Sequence, residues 1–452
     1  MLRCLLFHCA ALALPAATQP LNFIVILVDD MGATDLACTG SQFYQTPHID
    51  QLAKEGMSFR RAFSACTVCS PTRAALLTGQ SPARTHITDW IAGHERPAAK
   101  LLPPDWCKEL PDALTTLPEA LKSQNYTAAS IGKWHLGNAS PLAHGFSLNL
   151  GGYHRGQPEK WFAPYRNPAL KDGPDGEFLT ERLTSDAISF IKASRDRPFL
   201  VYFPQYAVHT PLGGQPEVIA KYKAMANPAK PHNNPVYASM VASVDDSVGR
   251  LRAAIRDLNL ADRTVFIFTS DNGGLLGNPK NPITSNLGLR AGKGSPWEGG
   301  VGVPLIIDWP GLTKPGSSSD EPVITMDLGV TIAAAAGSPL PPPVDGTDLR
   351  PALRGEPLTP RPLCWHYPHY HPGGATPYSA ILENGWRLVR FHEDHHEELY
   401  HITTDPEEKS NRLASEPDKA KSLAARLDAY LAATNAQLPV PNPRHDAARD
   451  AR

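Results

Sequence analysis

Uninterrupted apolar runs recur along the chain and predict the strands of a sheet. The first run, residues 22–28, is almost entirely β-branched or apolar, which is typical of a strand buried on both faces. Similar runs lie at residues 127–131, 199–203, 264–270 and 305–307, and segments with helical spacing lie between them at residues 48–55, 117–122, 180–193 and 237–258. This alternation predicts an α/β fold in which helices cover the sheet.

The pattern changes after about residue 355. Short strand-like runs follow at residues 379–382 and 386–390, and residues 417–433 have helical spacing. These features predict a small antiparallel sheet closed by a helix. We therefore divide the chain into a signal peptide, a catalytic α/β domain and a C-terminal α+β subdomain, with the bounds 1–18, 19–355 and 356–452.

Polar residues follow the ends of four predicted strands. An open α/β sheet has its binding crevice at the carboxyl ends of its strands, so residues from separate strands can meet there. The sequence therefore predicts one site that includes Asp29, Lys133, His209 and Asp271.

Composition and charge restrict the function classes. The 452 residues are 42% hydrophobic and 19% charged, which is ordinary globular usage and enough for a large domain plus a smaller one. The formal net charge of −2 provides no long-range attraction for nucleic acid, so we expect no nucleic-acid partner. An anionic substrate would have to be bound by a local basic pocket.

The N-terminus predicts export to a secreted or periplasmic location. Arg3 precedes an apolar run that extends to Leu14, and the small residues expected of a cleavage site follow at 15–18. A short buried helix is the alternative, but it leaves the positive start and the small residues unexplained. Later apolar stretches are too short for a membrane span, so none is expected.

The mature chain would retain an odd number of cysteines. In an oxidising compartment one thiol then remains after any disulfide pairing, and such a thiol is a candidate for reactivity or modification. The pairing is left open for Cys38, Cys66, Cys107 and Cys364, with Cys69 as the remaining cysteine. Cys66 and Cys69 form one CxxC pair, but the second ligand pair of a zinc site is missing.

Residues 69–79, Cys-Ser-Pro-Thr-Arg-Ala-Ala-Leu-Leu-Thr-Gly, resemble the signature of the type I sulfatases, whose signature cysteine is converted to formylglycine. Pro71 favours a turn into a helix, which would place Cys69 near the helix N-terminus, where negative charge is stabilised. Arg73 would fold back beside Cys69. The resemblance implies an alkaline-phosphatase-like fold with a large mixed sheet flanked by helices, and a maturation enzyme that generates the formylglycine.

The family mechanism would make the modified Cys69 the nucleophile. In the family the aldehyde hydrates to a gem-diol, one hydroxyl attacks sulfur, and the second expels sulfate as the aldehyde forms again. The intermediate thus carries its own release route. A plain buried or disulfide-bonded cysteine is the alternative, and the length of the match argues against it.

Oxygen ligands for a divalent cation follow two of the strands. Alone, an Asp-Asp pair after a strand is as readily a cap or a turn. With the cysteine signature, the set looks like the sulfatase metal site, for which we expect Ca²⁺, with Mg²⁺ as the second choice. The expected ligands are Asp29, Asp30, Cys69, Asp271 and Asn272.

Three further blocks resemble conserved sulfatase segments. Residues 132–137, Gly-Lys-Trp-His-Leu-Gly, imply that Lys133 binds sulfate and that His135 deprotonates the diol. The His-x-Pro segment implies that His209 is the general acid. Residues 292–300 place Lys293 against sulfate and the bridging oxygen. The catalytic candidates are therefore Cys69, Arg73, Lys133, His135, His209 and Lys293.

Two histidine-rich stretches have no assigned role, residues 366–371 and 392–396. Either could be an adventitious metal patch, and the first could hold a sugar ring at the rim of the pocket. The prolines and glycines nearby favour a solvated loop instead.

Three functions compete at this point. The first is hydrolysis of a sulfated carbohydrate or aryl sulfate, with a lean toward galactose or N-acetylgalactosamine 4-sulfate. The second is phosphomonoester or phosphonate-ester hydrolysis by the same fold. The third is non-catalytic glycan binding, which would not require the full set of proton-transfer and metal residues. The sequence leaves open the sugar, exo or endo action, and the oligomeric state.

Overall fold

The computed structural model describes residues 19–450. The predicted signal peptide, residues 1–18, lies outside the described residues, as do residues 451–452. Within residues 19–450, no helix is long and apolar enough to cross a membrane.

The strands, in chain order, are β1 (Asn22–Val28), β2 (Met57–Phe59), β3 (Ala62–Phe63), β4 (Leu101–Leu102), β5 (Thr127–Ile131), β6 (Leu148–Leu150), β7 (Phe199–Pro204), β8 (Thr264–Ser270), β9 (Gly277–Asn278), β10 (Asn281–Pro282), β11 (Leu305–Asp308), β12 (Ser317–Ser319), β13 (Val323–Ile324), β14 (Leu363–Tyr367), β15 (Tyr378–Glu383), β16 (Trp386–Phe391), β17 (Glu397–His401) and β18 (Val440–Pro441). The α-helices are α1 (Pro47–Glu55), α2 (Cys69–Thr78), α3 (Pro82–Thr85), α4 (Leu117–Leu121), α5 (Leu179–Ser194), α6 (Pro216–Met225), α7 (Pro235–Asp257), α8 (Glu298–Val301), α9 (Met326–Ala335), α10 (Arg350–Leu353) and α11 (Pro417–Ala433). Short 3₁₀ helices lie at Ala37–Thr39, Lys122–Gln124, Pro141–His144 and Ala261–Arg263.

A mixed sheet of eight strands forms the centre of the described chain, in the order β12-β2-β11-β8-β1-β7-β5-β6. β1 pairs in parallel with both β7 and β8, whereas β11 runs antiparallel to β8 and β2. This arrangement confirms the predicted large mixed sheet. It also places β5, β7, β1 and β8 side by side, so their carboxyl ends share one edge.

Two apolar layers bury the central sheet. Along β1, alternate side chains point to opposite faces, as the pleat requires. Ile24 and Ile26 join the layer that includes residues of α5 and α7, and Phe23 and Val25 join the layer that includes residues of α2 and α9. The continuous apolar character of β1 follows from this burial on both faces.

The C-terminal part is a four-stranded antiparallel sheet, β14-β15-β16-β17, as predicted. Leu427 and other apolar residues of α11 cover one face, and Trp365 and Tyr378 on the other face pack against Phe63 and Val68 of the larger part. The predicted boundary at residue 355 falls between α10 and β14.

A buried ion cluster joins the two parts. The Arg387 side chain, fully buried in β16, contacts Glu298 Oε2 at 3.0 Å and Glu408 Oε1 at 3.3 Å. Glu408 also accepts a 2.6 Å hydrogen bond from the backbone N–H of Glu298. Burial raises the pKa of Glu408 to about 7, although the Arg387 charge opposes that rise. Arg387 is therefore the cation that balances two buried carboxyls.

We expect Arg387→Met to lower the free energy of unfolding by about 3–5 kcal/mol, because it leaves buried carboxyls without their charge partner. Urea denaturation followed by circular dichroism measures the loss. Arg390→Met on the same strand is the matched control. Its side chain is 20% exposed and pairs with Glu397, which is 23% exposed, and with the largely exposed Asp428, so water can solvate the carboxylates that remain and the effect should stay below about 1 kcal/mol. Equal effects of the two substitutions would contradict this assignment.

Candidate active site

The strand ends of the central sheet bring the predicted residues together. Asp29 and Asp30 follow β1, Asp271 and Asn272 follow β8, His209 lies five residues after β7, and Lys133 lies two residues after β5. Gly132 makes the close approach of the β5 and β7 ends possible, because a Cβ there would lie 2.0 Å from the carbonyl oxygen of Pro204. Its φ of 121° also favours glycine.

Cys69 lies at the first position of α2, a helix whose residues are all buried. Its Sγ lies 3.5 Å from Nζ of Lys293. Pro71 lies within the first turn, where it needs no N–H partner. Gly79 follows the helix in a left-handed conformation.

Three carboxylates and three cations form a buried network beside Cys69. Lys133 Nζ donates to Asp29 Oδ2 at 2.7 Å, and Lys293 Nζ lies 2.7 Å from Asp30 Oδ1. Arg73 donates to Asp271 Oδ2 through Nη2 at 2.6 Å and through Nε at 3.0 Å. The charges of the network therefore balance within the protein.

Arg73 connects several members of this network. Its side chain is fully buried, its Nη2 is 3.6 Å from Asp29 Oδ1, and its Nη1 donates to the Lys133 carbonyl at 3.0 Å. These contacts fix residues from β1, β5 and β8 relative to one another. Arg73 thus contacts the network from inside the protein and is not among the residues that line the cavity beside Cys69.

Several buried oxygen atoms in the network lack a hydrogen-bond partner. They are Asp29 Oδ1, Asp30 Oδ2 and Asn272 Oδ1. Unpaired buried oxygens are costly unless a cation or another donor meets them. Ligand atoms within 4.8 Å of one another come from Asp29, Asp30, Cys69 and His209. Asp271 Oδ1 accepts from the backbone N–H of Asp30 at 3.2 Å, and Asn272 Nδ2 donates to Asp30 Oδ1 at 2.8 Å.

This donor set fits a hard divalent cation. Carboxylate and amide oxygens are the ligands that Ca²⁺ and Mg²⁺ take in proteins. Asp29, Asp30 and Asn272 would supply free oxygens, whereas Asp271 is largely engaged by Arg73. His209 also lies close enough to Asp29, Asp30 and Cys69 to be a ligand, although the sequence did not predict it as one.

The electrostatic environment of Cys69 favours negative charge. Burial alone would raise the pKa of its thiol, but the positive charges of Lys133 and Lys293 outweigh this effect and lower the pKa to about 6. Cys66, three residues earlier and equally buried, has its pKa raised to about 12 by burial. The two cysteines of the CxxC pair therefore differ in the charge their surroundings support. All five cysteines within the described residues are free, so no disulfide forms there.

The pKa values of the two histidines of the site are shifted in opposite directions. Burial, followed by the charges of Lys133 and Arg73, lowers the pKa of His135 well below its usual value. Burial and the charge of Lys293 would also lower the pKa of His209, but the negative charges of Asp30 and Asp29 outweigh them and raise it. His209 Nδ1 donates to the carbonyl of Thr210 at 2.5 Å, so Nε2 is the atom that lies 3.6 Å from Asp30 Oδ2.

A cavity of about 760 Å³ opens onto this network. Cys69, His135, His209 and Lys293 line it, and its volume is within the range of small-molecule sites. Its other lining residues include Trp90, Lys108, Asn138, His154, Arg155, Gln157 and His371.

Sequence reasoning missed the residues that support His135. Ser70 Oγ donates to the His135 carbonyl at 2.8 Å and accepts from the N–H of Ile91 at 3.1 Å, and the Ile91 carbonyl binds His135 Nε2. The position of Ser70 directly after Cys69 is a signal that could have suggested a role. Ile91 acts through its backbone, which the sequence does not reveal.

The solvated-loop interpretation of residues 366–371 is wrong. His366 lies in β14, is 2% exposed, and binds Ser379 Oγ and the Gln437 carbonyl through its two ring nitrogens. His369 is also buried, and His371 lines the cavity. Burial and the charge of Lys293 lower the pKa of His371 to about 4, so this ring is neutral near pH 7. In the second stretch, His392 binds Ser379 Oγ.

Comparison with known proteins identifies relatives over most of the chain. Residues 21–338 match the model of the family described as Sulfatase, and residues 293–437 match that of N-sulphoglucosamine sulphohydrolase, C-terminal. N-acetylgalactosamine-6-sulfatase of Sus scrofa is 35% identical over 80% of this chain and 71% of its own length. A sulfatase of Formosa agariphila is 31% identical over 96% of this chain and 94% of its own length. The crystal structure of Ps i-CgsB aligns with a TM-score of 0.77 at 28% identity, over 91% of this chain and 93% of that one.

Proposed function

Because the chain belongs to the sulfatase family, whose members hydrolyse sulfate esters, we propose that it removes sulfate from a sulfated carbohydrate and that Cys69 is the precursor of its formylglycine. One observation carries the proposal: Cys69 lies at the N-terminus of a buried helix, with Lys293 3.5 Å away and with Asp29, Asp30 and His209 in one cluster. As a thiol, Cys69 has no other evident function there. A formylglycine-generating enzyme is the partner that this maturation requires.

A divalent cation held by Asp29, Asp30, Asp271 and Asn272 would polarise sulfate oxygens and favour the ionised form of the nucleophile. The three buried carboxylates are already balanced by Arg73, Lys133 and Lys293. A bound Ca²⁺ would therefore leave the site with excess positive charge, which suits an anionic ester and the charge that develops on its oxygens.

Lys133 and Lys293 supply the cations for the sulfate group. Lys293 pairs with Asp30, lines the cavity and lies next to Cys69, whereas Lys133 is fully buried against Asp29 and lies outside the cavity lining. Each ammonium has three donors, so it can bind a sulfate oxygen while it keeps its carboxylate contact. The pair would orient sulfur toward the nucleophilic position.

His209 holds a proton at the atom where the leaving group needs one. Its Nδ1 is engaged by the Thr210 carbonyl, and the neighbouring carboxylates raise its pKa. Nε2 would donate that proton to the bridging oxygen of the ester as the sulfur–oxygen bond breaks.

His135 has the complementary role of a base. Its Nε2 donates to the Ile91 carbonyl, and its Nδ1 is buried without a partner. With Nε2 carrying the hydrogen, Nδ1 has a free lone pair. It would accept the proton of the hydroxyl that re-forms the carbonyl when sulfate leaves.

We propose that the substrate is a sulfated sugar and that the protein acts in a secreted or periplasmic location. The cavity walls offer Trp90 as an apolar platform and Asn138 and Gln157 as hydrogen-bonding groups, a combination that suits a pyranose ring. The lean toward 4-sulfate stays a prediction from the sequence. The relatives named as N-acetylgalactosamine-6-sulfatases make the 6-sulfate the second candidate.

Initial rates on matched substrates test this proposal. The matured enzyme should release sulfate from N-acetylgalactosamine 4-sulfate or 6-sulfate. It should also turn over 4-nitrophenyl sulfate at least about 100-fold faster than 4-nitrophenyl phosphate, because we propose that the site binds the transition state of sulfate transfer better than that of phosphate transfer. Faster turnover of the phosphate would contradict sulfatase function. Turnover of the aryl sulfate without either sugar would contradict the proposed sugar alone.

A further inference from the structure

The cavity beside Cys69 has a one-sided charge composition. Its charged lining residues are Lys108, Arg155 and Lys293, and within the described residues its lining includes no Asp or Glu side chain. The whole chain has a formal net charge of −2. The cavity is therefore a local positive region in a nearly neutral protein, and it should attract anions.

Two of these cations, Lys108 and Arg155, have no assigned role in binding the sulfate that is cleaved. Lys293 is committed to Asp30 and to the Cys69 position. Arg155, by contrast, is 51% exposed and has only an exposed ion pair with Glu159 at 3.0 Å, which is a weak interaction in water. Lys108 is exposed and lies 5.5 Å above the Trp106 ring. Both cations therefore lie at the solvent edge of the cavity and can bind another group.

A neighbouring cavity has a mixed charge composition. It has a volume of about 460 Å³ and shares Leu275 and Lys293 with the first cavity. Three carboxylates line it, Glu393, Asp394 and Glu398. Its two cations, Arg290 and Lys293, are each held by a carboxylate, Arg290 by Glu398 at 3.5 Å and Lys293 by Asp30 at 2.7 Å. This side therefore offers a second negative charge no cation comparable to the exposed Lys108 and Arg155.

We propose that the wall formed by Lys108, His154 and Arg155 binds a second anionic group, so that the substrate is a saccharide carrying another sulfate or a carboxylate besides the sulfate that is removed. This inference rests on the proposed function and specifies its substrate class. It also gives the direction in which the substrate extends: the remainder of the saccharide leaves the Cys69 position toward Lys108 and Arg155, away from the neighbouring cavity. The guanidinium of Arg155 can bind either anion through two parallel N–H groups.

The test measures inhibition constants against turnover of 4-nitrophenyl sulfate, so it works even for a saccharide that is cleaved slowly. The probes are N-acetylgalactosamine 6-sulfate, its 4,6-disulfate, and the disaccharide of glucuronic acid with N-acetylgalactosamine 6-sulfate. In the double variant Lys108→Met/Arg155→Gln, inhibition by the doubly anionic probes should weaken about 5- to 10-fold more than inhibition by the monosulfate. Added salt should reduce the difference between enzyme and variant.

Lys160→Met is the matched control, because Lys160 is an exposed cation in the same segment as Arg155 but does not line the cavity. It should leave all three inhibition constants within about twofold. If only inhibition by the disulfate weakens, the wall binds a second sulfate. If only inhibition by the glucuronate disaccharide weakens, the wall binds a carboxylate. Equal weakening of all probes, or none, would overturn the inference. Failure of the proposed function is separate, since the enzyme would then not turn over 4-nitrophenyl sulfate.

Discussion

Cys69→Ala is expected to lower kcat for sulfate esters by about 10⁴-fold or more while the protein remains folded, because it removes the nucleophilic position from an otherwise intact site. The side chain is buried, and the positive charges of Lys133 and Lys293 act on it directly, so the substitution removes the proposed nucleophile from beside these cations. Alanine fits the first turn of α2, and thermal unfolding should shift by only a few degrees. Turnover of 4-nitrophenyl sulfate and circular dichroism measure the two effects.

Cys66→Ala is the matched control for this substitution. Cys66 is a buried free thiol three residues earlier, in the apolar cluster with Phe63 and Trp365, and no catalytic contact is assigned to it. It should retain turnover within about threefold. Peptide mass spectrometry of the protein without substitutions and of Cys66→Ala should show the aldehyde in place of the thiol at position 69. Retained activity of Cys69→Ala would show that the nucleophile lies elsewhere.

The strand positions and the edge at which the site lies could be predicted from the sequence because burial on both faces produces continuous apolar runs. The bounds predicted for residues 127–131 coincide with β5, and Asp29 and Asp271 lie directly beyond the runs that form β1 and β8. The direction of β11 could not be derived in the same way. A central strand is apolar on both faces whether it runs parallel or antiparallel, so only the family resemblance suggested a mixed sheet.

The histidines of residues 366–371 show why local pattern failed. Prolines and glycines near them favour a loop, but the partners that bury His366 are Ser379 and the carbonyl of Gln437, 71 residues away. Contacts of that range leave no periodic signal. The same reason applies to Lys108 and Arg155, which share a cavity wall although they belong to separate loops.

Removal of the divalent cation is expected to have an effect as large as loss of the nucleophile. Chelation should abolish turnover, and added Ca²⁺ should restore it and raise the thermal unfolding temperature of the chelated protein by a few degrees, because a cation that binds only the folded state stabilises it by about 3–4 kcal/mol at 100 to 1,000 times its Kd. The buried free oxygens of Asp29, Asp30 and Asn272 are the reason to expect this gain. Mg²⁺ should give a smaller shift than Ca²⁺, since it requires a stricter octahedral set.

Asp30→Asn separates metal binding from general stability. Asn can keep contacts with Lys293 and Asn272, but it removes one of the charges that would hold the cation, so both turnover and the Ca²⁺-dependent thermal shift should be lost. Asp327→Asn is the control, because Asp327 is equally buried but is engaged by Arg361 and by the backbone N–H groups of Ile324 and Thr347. It should lower the unfolding temperature and keep the Ca²⁺ shift. If Asp30→Asn retained the full shift, the ion would be bound outside the cluster of Asp29, Asp30 and Asn272.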